Sequence, residues 1–370
     1  MLNATRKVTI IGLGLIGGSF ALALKRLFPG INLCGYDVDE TALVKGQEAG
    51  IIDWFSMDVK EAVRDADLTV ISCSLNQTVP MAIKAIPHMK RGAILTDVGS
   101  VKETIVTSIE AVLPGDISYV PGHPMAGSEK KGLDGADTYL FENSAYILTP
   151  TEKTAWEAVD TLLNIIKGIG ARPLIMSPSE HDNQVAAVSH LPHLLAAALV
   201  NSASALRDRY PDLFLLAAGG FRDTTRIASS QPDMWRDICL NNRRAILEVL
   251  EIHEGKLAEI KKSILKGDGE GLFCIFKNAR ENREKVPAGI KGILPELFEI
   301  VVVVPDRPGM IGQIANLLGE RNINIIDIEI LRVREGDGGT IRFGFLNRDA
   351  AQGAVKVLRE ENFVVYPKFS

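Results

Sequence analysis

The chain has 370 residues, more than one hydrophobic core usually serves, so two or three domains are expected. Its 46% hydrophobic and 24% charged residues are typical of a globular protein and exclude a largely disordered one. A net charge of −5 with no basic block argues against nucleic acid or an acidic membrane surface as the main partner.

Neither a signal segment nor a membrane span is expected. Residues 1–7 lead straight into a strand-like run, and the most apolar run, Leu194–Val200, is too short to cross a bilayer. The four cysteines are scattered without metal-binding or redox spacing: Cys34, Cys73, Cys239 and Cys274. These features predict a cytoplasmic protein with free thiols.

Residues 1–178 alternate short β-branched runs with helical patterns. Strands are predicted at Val8–Ile11, Leu33–Tyr36, Leu68–Ser72, Ala93–Asp97, Ser118–Val120 and Ala145–Leu148. Helices are predicted between and after them, at Ile16–Leu27, Glu40–Glu48, Thr78–His88, Val101–Val112 and Thr154–Ile166. This alternation indicates a Rossmann-type α/β domain, with a parallel sheet covered by helices on both faces.

Strand signals then stop, and residues 179–286 are predicted to form an all-α domain. Long apolar helices are expected at His181–Arg209 and Pro232–Lys266. Helices this apolar must bury more than one face, so this domain is expected to hold a homodimer together. Residues 287–297 follow as a linker, because Pro287–Gly292 is rich in turn-forming residues.

Residues 298–370 are predicted to form a small, separate α+β domain. Its expected strands are Leu297–Val304, Ile323–Val333, Thr340–Leu346 and Phe363–Tyr366, with a turn at Glu335–Gly339. Its expected helices are Met310–Arg321 and Ala350–Glu360. The order βαββαβ is that of the ferredoxin-like fold.

A glycine-rich turn joins the first predicted strand to the first helix. Its pattern is GxGxxG: Gly12 permits the tight turn, Gly14 lets the backbone approach a pyrophosphate, and Gly17 lets the helix pack against the strand. Free N–H groups where the helix begins, at Leu15 and Ile16, favour phosphate binding. A plain strand–helix turn is the alternative, but the βαβ context favours a dinucleotide site.

An acid at the end of the second strand predicts which dinucleotide binds. Asp37 lies 20 residues after Gly17, where its carboxylate can accept hydrogen bonds from both ribose hydroxyls. The same carboxylate would repel a 2′-phosphate, so NAD is expected rather than NADP. Ser74 is assigned to this cofactor site as well.

Four further segments carry polar residues suited to chemistry. Asp97–Lys102 ends one strand and Gly122–Glu129 follows the next, both at the carboxyl edge where α/β sheets bind ligands. Ser189–His193 and Gly219–Arg226 lie in the helical domain and add histidines and arginines.

Together these segments resemble the prephenate dehydrogenase family, which includes arogenate and cyclohexadienyl dehydrogenases, over residues 6–285. The resemblance implies conversion of prephenate and NAD⁺ to 4-hydroxyphenylpyruvate, CO₂ and NADH in tyrosine biosynthesis. In that reaction the carbon bearing the ring hydroxyl loses a hydride and the hydroxyl loses a proton. The ring carboxylate then leaves as CO₂ while the ring becomes aromatic. A neutral imidazole at the hydroxyl suits this chemistry, since histidine can accept a proton at neutral pH.

The resemblance also implies roles for individual residues. His123 would be the base, and Ser100 would orient it and contact the nicotinamide end of the cofactor. Arg226 would bind a carboxylate of the prephenate dianion through paired hydrogen bonds. The other positions that the family uses around the substrate are His190, His193, Ser128, Glu129, Asp223 and Trp235.

Each of these residues has a simpler interpretation. His190 and His193 could be ordinary helix residues, and no cysteine or acid at suitable spacing completes a zinc site with them, so no metal is expected. Arg226 could be a surface cation, and Asp223 could cap the start of the following helix. His123 could be only a loop residue.

The C-terminal domain resembles an ACT domain, on the segments Val304–Gly312 and Asn322–Ile325. The resemblance implies that an amino acid binds, with its polar groups meeting Asp306, Gly309 and Asn324. L-Tyrosine, as the end product of the pathway, is the expected effector. A module that only dimerises is the alternative.

The residues leave one rival function open and disfavour two others. Arogenate dehydrogenase uses the same site on an aminated side chain, and the sequence does not separate it. A β-hydroxyacid dehydrogenase would need a catalytic lysine near His190–His193, and no matching motif is present. A non-catalytic amino-acid sensor would be expected to lose some site residues, whereas this chain retains them.

Overall fold

The structure is a computed structural model. It describes residues 7–127, 132–286, 297–305, 307–331 and 339–368. The chain forms two compact units, Met1–Ile290 and Lys291–Ser370. Each unit has its own buried core.

The first unit is built on an eight-stranded sheet. Its strands are β1 Lys7–Ile11, β2 Asn32–Tyr36, β3 Trp54–Phe55, β4 Leu68–Ile71, β5 Ile94–Asp97, β6 Ser118–Pro124, β7 Ala145–Leu148 and β8 Arg172–Ile175. Helices between them are α1 Leu15–Leu27, α2 Glu40–Glu48, α3 Val59–Val63, α4 Leu75–Ala85, α5 Glu103–Glu110 and α6 Trp156–Gly168. The strand order β3-β2-β1-β4-β5-β6-β7-β8 begins as in a Rossmann sheet, as predicted.

The prediction of a wholly parallel sheet was wrong at one strand pair. β6 and β7 are antiparallel, with His123 opposite Ile147. Parallel neighbours need a long crossover, usually a helix, whereas the described residues between β6 and β7 contain only a short 3₁₀ turn at Leu133–Gly135. The strands β3 and β8 were not predicted, since β3 has two residues and β8 contains Pro173.

Two apolar cores hold the helices against the two faces of this sheet. One face buries Phe20 of α1 and Leu162 of α6, both 0% exposed, and the other buries Ile105 of α5 and Tyr119 of β6. Each fully buried apolar side chain of this size stabilises the fold by about 1.5–3 kcal/mol. The carboxyl ends of β1, β4, β5 and β6 are thereby fixed side by side.

The helical part of the first unit follows β8. Its helices are α7 Pro178–Val185, α8 Leu191–Ser204, α9 Gly219–Thr225, α10 Pro232–Asn241, α11 Arg243–Lys266 and α12 Gly269–Glu284. A π-helical turn, Ala186–His190, joins α7 to α8 directly before Pro192, whose missing N–H disturbs regular α-helical bonding. The long helix predicted over 232–266 is instead broken at Asn242, whose backbone leaves the helical range.

The continuous helix Pro178–Ser204 is long and apolar enough, by length and composition, to cross a membrane. The sequence predicted no uninterrupted apolar run of this length, and this helix is interrupted by polar residues such as Asp182 and Asn183; it is long because α7, the π-helical turn and α8 run on as one helix. Only 22% of its most apolar window is buried within one chain. Core helices of soluble proteins pass the same test, so one such helix is weak evidence for a membrane.

The second unit has the predicted βαββαβ order. Its elements are β9 Phe298–Val304, α13 Met310–Glu320, β10 Asp327–Leu331, β11 Gly339–Phe345, α14 Arg348–Glu360 and β12 Val364–Pro367. The strands form an antiparallel sheet in the order β10-β11-β9-β12, and both helices pack against it. β10 begins four residues later than predicted, after Asn322 at a φ of 58°. The predicted end of that strand and most of the turn lie outside the described residues.

Candidate active site

The glycine turn between β1 and α1 has three distinct close approaches. Gly12 has a φ of +95°, and a Cβ there would lie 2.5 Å from the carbonyl oxygen of Ser72. A Cβ at Gly17 would lie 2.0 Å from the carbonyl oxygen of Gly12, so the helix can meet the turn only through a glycine. A Cβ added at Gly14 would have no neighbouring atom within 4 Å. The backbone is therefore open to a ligand at the second glycine.

Asp37 is tied to this turn. One of its carboxylate oxygens accepts the N–H of Leu13 at 2.7 Å, and the other accepts the N–H of Asp39 at 3.0 Å. The side chain is partly exposed beside Gly14 at the carboxyl edge of the sheet. An anionic group thus borders the space that a ligand on the glycine turn would occupy.

The remaining predicted cofactor residues surround the same edge. Leu15 and Ile16 begin α1, whose N-cap, Gly14, has no side-chain hydrogen bond and whose first turn has no acid. Their backbone N–H groups suit an anion. Ser74 is the exposed N-cap of α4 and lies two residues after Ser72, whose carbonyl oxygen is close to Gly12.

A buried ion pair lies beside strands β5 and β6. Lys102 and Asp97 are both fully buried and paired with each other, and Lys102 Nζ also donates to the carbonyl oxygen of Gly122 at 2.7 Å. The Tyr119 hydroxyl donates to Asp97 at 2.7 Å. Burial lowers the pKa of Lys102, and the nearby Asp97 carboxylate opposes that shift. The network fixes the backbone immediately before His123.

His123 lies near the end of β6 at the carboxyl edge and is partly buried. Its Nδ1 is 2.7 Å from Nε2 of His181, and the two rings meet edge to face. Burial holds the pKa of His123 well below 6.5, and His181, Lys102 and His190 add to that shift. At neutral pH the imidazole is therefore neutral and can accept a proton.

A second cluster on the helical part brings three predicted residues together. His193 stacks on Trp235 with ring centroids 3.8 Å apart, and His190 meets the same indole edge to face at 6.0 Å. Burial lowers the pKa of His190 to about 4, against the opposing effect of Asp182. The Trp235 Nε1 atom is buried and has no hydrogen-bond partner within the part of the chain that the structure describes.

Arg226 belongs to the same cluster. It follows α9 at the start of the 3₁₀ turn Arg226–Ser229 and is exposed. The pKa of His193 is lowered mainly by burial, and the Arg226 charge lowers it further. Hydrogen bonds connect the two clusters, because Asn242 Nδ2 contacts both His190 and the carbonyl oxygen of Asp182, the residue next to His181.

The other predicted active-site residues are less closely associated with these two clusters. Ser100 lies between β5 and α5, and among the described residues it makes no hydrogen bond to His123, whose ring is held by His181. Asp223 is exposed inside α9 and so does not cap a helix start. Ser128 and Glu129 lie outside the described residues.

Family models match nearly the whole chain. Residues 20–188 match the nucleotide-binding domain of prephenate dehydrogenase, residues 177–278 match its dimerization domain, and residues 298–355 match the ACT domain. A prephenate dehydrogenase from Bacillus subtilis is 40% identical over 92% of this chain and 92% of its own length. The chain belongs to the prephenate dehydrogenase family.

Solved structures of prephenate and arogenate dehydrogenases match about three quarters of this chain. The A. aeolicus prephenate dehydrogenase in complex with hydroxyphenyl propionate and NAD⁺ has a TM-score of 0.73 and 33% identity, and the match covers 77% of this chain and 99% of that one. The Synechocystis arogenate dehydrogenase has a TM-score of 0.68 and 32% identity, over 76% of this chain and 100% of that one.

The site also contains residues that the sequence analysis did not select. His181 and Asp182 are buried directly behind His123, and Asn242 links Asp182 to His190. One sequence signal could have pointed to His181 and Asp182. This histidine and this acid stand at the start of the predicted helix His181–Arg209, which is otherwise mostly apolar. Their partners come from other elements, however, and periodicity does not identify such contacts.

Proposed function

We propose that this protein is an NAD-dependent prephenate dehydrogenase, which oxidatively decarboxylates prephenate to 4-hydroxyphenylpyruvate. The observation that carries the proposal is the position of His123 near the end of β6, in the same sheet whose first strand leads into the open glycine turn. A relative with this fold binds hydroxyphenyl propionate and NAD⁺ together.

Different residues serve different parts of this reaction. The open backbone at Gly14 and the Asp37 carboxylate suit the pyrophosphate and ribose of NAD⁺, which supplies the hydride acceptor when bound. His123 accepts the proton of the ring hydroxyl through its second nitrogen, Nε2. Arg226 binds a carboxylate of the substrate, beside the aromatic surface of His193 and Trp235.

The direct test is the formation of NADH, followed by absorbance, from prephenate and from arogenate with NAD⁺ or NADP⁺. Turnover of prephenate with NAD⁺ supports the proposal. Turnover of arogenate alone would assign the second candidate, arogenate dehydrogenase, the activity of the Synechocystis protein, which matches with a TM-score of 0.68 against 0.73 for the A. aeolicus enzyme. Absence of turnover with both substrates would refute both functions.

We expect a strong preference for NAD⁺ over NADP⁺, because the Asp37 carboxylate would repel a 2′-phosphate. Two unit charges about 4 Å apart repel by about 1–4 kcal/mol near a protein surface, which corresponds to roughly 5- to 10³-fold in kcat/KM. Replacing Asp37 with serine should narrow the ratio of kcat/KM for the two cofactors. Asp39→Asn is the matched control, because it changes a neighbouring exposed acid and keeps a helix-capping side chain. A wild-type enzyme that prefers NADP⁺ would contradict the assignment.

The helical part of the first unit supports a homodimer. It belongs to the region that matches a dimerization domain, and it exposes large apolar side chains on several helices. Those with more than 60% of their surface exposed are Val188, Leu215, Leu216, Leu240, Ile252, Ile264, Leu265, Phe273 and Phe276. A second copy would bury this surface, so light scattering should give twice the mass of the chain.

L-Tyrosine is the effector that we propose for the ACT domain. Gly309 has a φ of +91° and begins α13 without a side-chain cap, and nothing lies within 4 Å of its Cβ position. Asn324 is exposed on the segment that follows this helix. The third predicted ligand residue, Asp306, lies outside the described residues.

Asn324→Ala should relieve inhibition by tyrosine and leave the uninhibited kcat nearly unchanged. A coupling of about 1–3 kcal/mol between the sites would change tyrosine and prephenate affinities by the same factor, roughly 5- to 150-fold. Steady-state inhibition measurements on the wild type and on Asn324→Ala check this.

A shortened chain that ends after Val286 is a second test. The A. aeolicus structure is matched over 99% of its own length and covers only 77% of this chain, so a member of the family folds at about this shorter length. If that shortened enzyme is inhibited as strongly as the full chain, tyrosine competes at the active site instead.

A further inference from the structure

A line of two short hydrogen bonds runs from His123 into the protein interior. His123 Nδ1 lies 2.7 Å from His181 Nε2, and His181 Nδ1 lies 2.7 Å from Asp182 Oδ1. His181 is 0% and Asp182 is 1% exposed. Both are neighbours on α7, so a single helix supplies the two inner members of the line.

The backbone contacts of Asp182 determine which way its hydrogen bonds run. Its Oδ1 accepts the N–H of Lys102 at 2.8 Å, and its Oδ2 accepts the N–H of Glu103 at 2.9 Å. Both carboxylate oxygens are thus acceptors, as they are in an ionised carboxylate. The Nδ1 atom of His181 must then be the donor in its contact with Asp182.

This direction sets the tautomer of His123. A neutral His181 with a proton on Nδ1 has only an acceptor at Nε2. When His181 is in this neutral form, His123 donates from its own Nδ1. In a neutral His123, the nitrogen left without a proton is Nε2, which is the atom that a general base needs.

We propose that His181 and Asp182 are positioning residues that hold His123 with its proton on Nδ1 and its basic lone pair on Nε2. The inference rests on the proposed function, in which Nε2 takes the hydroxyl proton of the substrate. Once that proton arrives, His123 is a cation that donates to His181, and the Asp182 carboxylate lies two hydrogen bonds away. The negative charge stabilises the imidazolium along this line.

The charges around His123 show why such support matters. Lys102, from the loop between β5 and α5, and His190, from the π-helical turn, both disfavour a positive charge on His123. Asp97 is already paired with Lys102. Asp182 is the carboxylate that reaches the His123 ring through a hydrogen-bonded side chain in the described structure.

Asp182 is itself held from two directions. Asp182 bonds to the backbone where α5 begins, and its own carbonyl oxygen accepts from Asn242 Nδ2 at 2.8 Å. Asn242 is 4% exposed, sits at the break between α10 and α11, and also contacts His190 Nδ1 at 3.2 Å. A group that orients a base must have its own position fixed by packing and hydrogen bonds, and Asp182 meets that condition.

Two substitutions at His181 separate orientation from packing. His181→Phe keeps an aromatic ring against His123 but removes the acceptor, so kcat should fall by about 10- to 10²-fold with little change in KM. His181→Gln offers an amide oxygen near the former Nε2 position and should recover most of kcat. Circular dichroism and NAD⁺ affinity verify that both variants fold. If His181→Phe matches the wild type, or if glutamine fails to exceed phenylalanine, the positioning role is wrong.

The tautomer can be read directly in the wild-type enzyme. Nitrogen NMR of the full chain labelled at its histidine rings, with His123 assigned by its loss in His123→Asn, should show a proton on Nδ1 and none on Nε2. A proton on Nε2 would overturn the inference even if the His181 variants do not fold. Failure of the proposed function is a different result, because wild-type enzyme would then form no NADH from prephenate whatever tautomer His123 adopts.

Discussion

His123→Asn is expected to lower kcat for prephenate by about 10² to 10⁴-fold while changing KM little, since the lost group acts on a proton that moves only in the transition state. Asparagine can still donate to His181 from its side-chain amide, so the buried line of hydrogen bonds survives the change. Steady-state kinetics with saturating NAD⁺ measure the effect. The asparagine amide has no basic nitrogen, which is why the loss should appear in kcat.

The matched control for this variant is His88→Asn. His88 is a partly buried histidine in the turn between α4 and β5, near the amino end of the strand and thus at the opposite edge of the sheet. It should keep the kcat of the wild type. Near-normal turnover by His123→Asn at neutral pH would refute the assignment of the base.

The pH profile tests the same assignment without a substitution. Only the neutral form of His123 can accept a proton, and the folded protein holds its pKa well below 6.5 through burial and through His181, Lys102 and His190. The profile of kcat/KM should therefore stay level as the pH falls through about 6.5, the ordinary histidine value, and decline only below it. A decline that begins above this value would point to a different base.

Local sequence patterns are enough to propose the cofactor half of the site. The glycines and Asp37 are set by one strand–turn–helix unit, in which backbone geometry alone decides which residue fits. A glycine is needed where a Cβ would meet a carbonyl oxygen at 2.5 Å, and that need is visible in sequence spacing. The role of His123 came from the family resemblance, and its position follows from β6 ending at the carboxyl edge of the sheet.

The supporting residues were not predictable in the same way. The contact between His123 and His181 joins residues 58 positions apart, and its existence depends on how α7 packs against β6. Asn242 was hidden inside a predicted long helix, although asparagine is a weak helix former that competes for backbone bonds. The helix break there frees its side chain to contact His190 and Asp182. Tertiary packing, rather than local preference, decides these positions.

Arg226→Ala is expected to raise the KM for prephenate by about 10- to 150-fold, which corresponds to the loss of one charged hydrogen-bonded contact of about 1.5–3 kcal/mol. The carboxylate is held in both the ground state and the transition state, so kcat should change far less than KM. Arg226→Lys should recover only part of the affinity, because an ammonium cannot form two parallel hydrogen bonds. Arg222→Ala is the matched control, since it removes an exposed cation one helical turn earlier on α9. Equal effects of the two alanine variants would show that Arg226 contributes only general positive charge. A fall in kcat at unchanged KM would place its contact in the transition state alone.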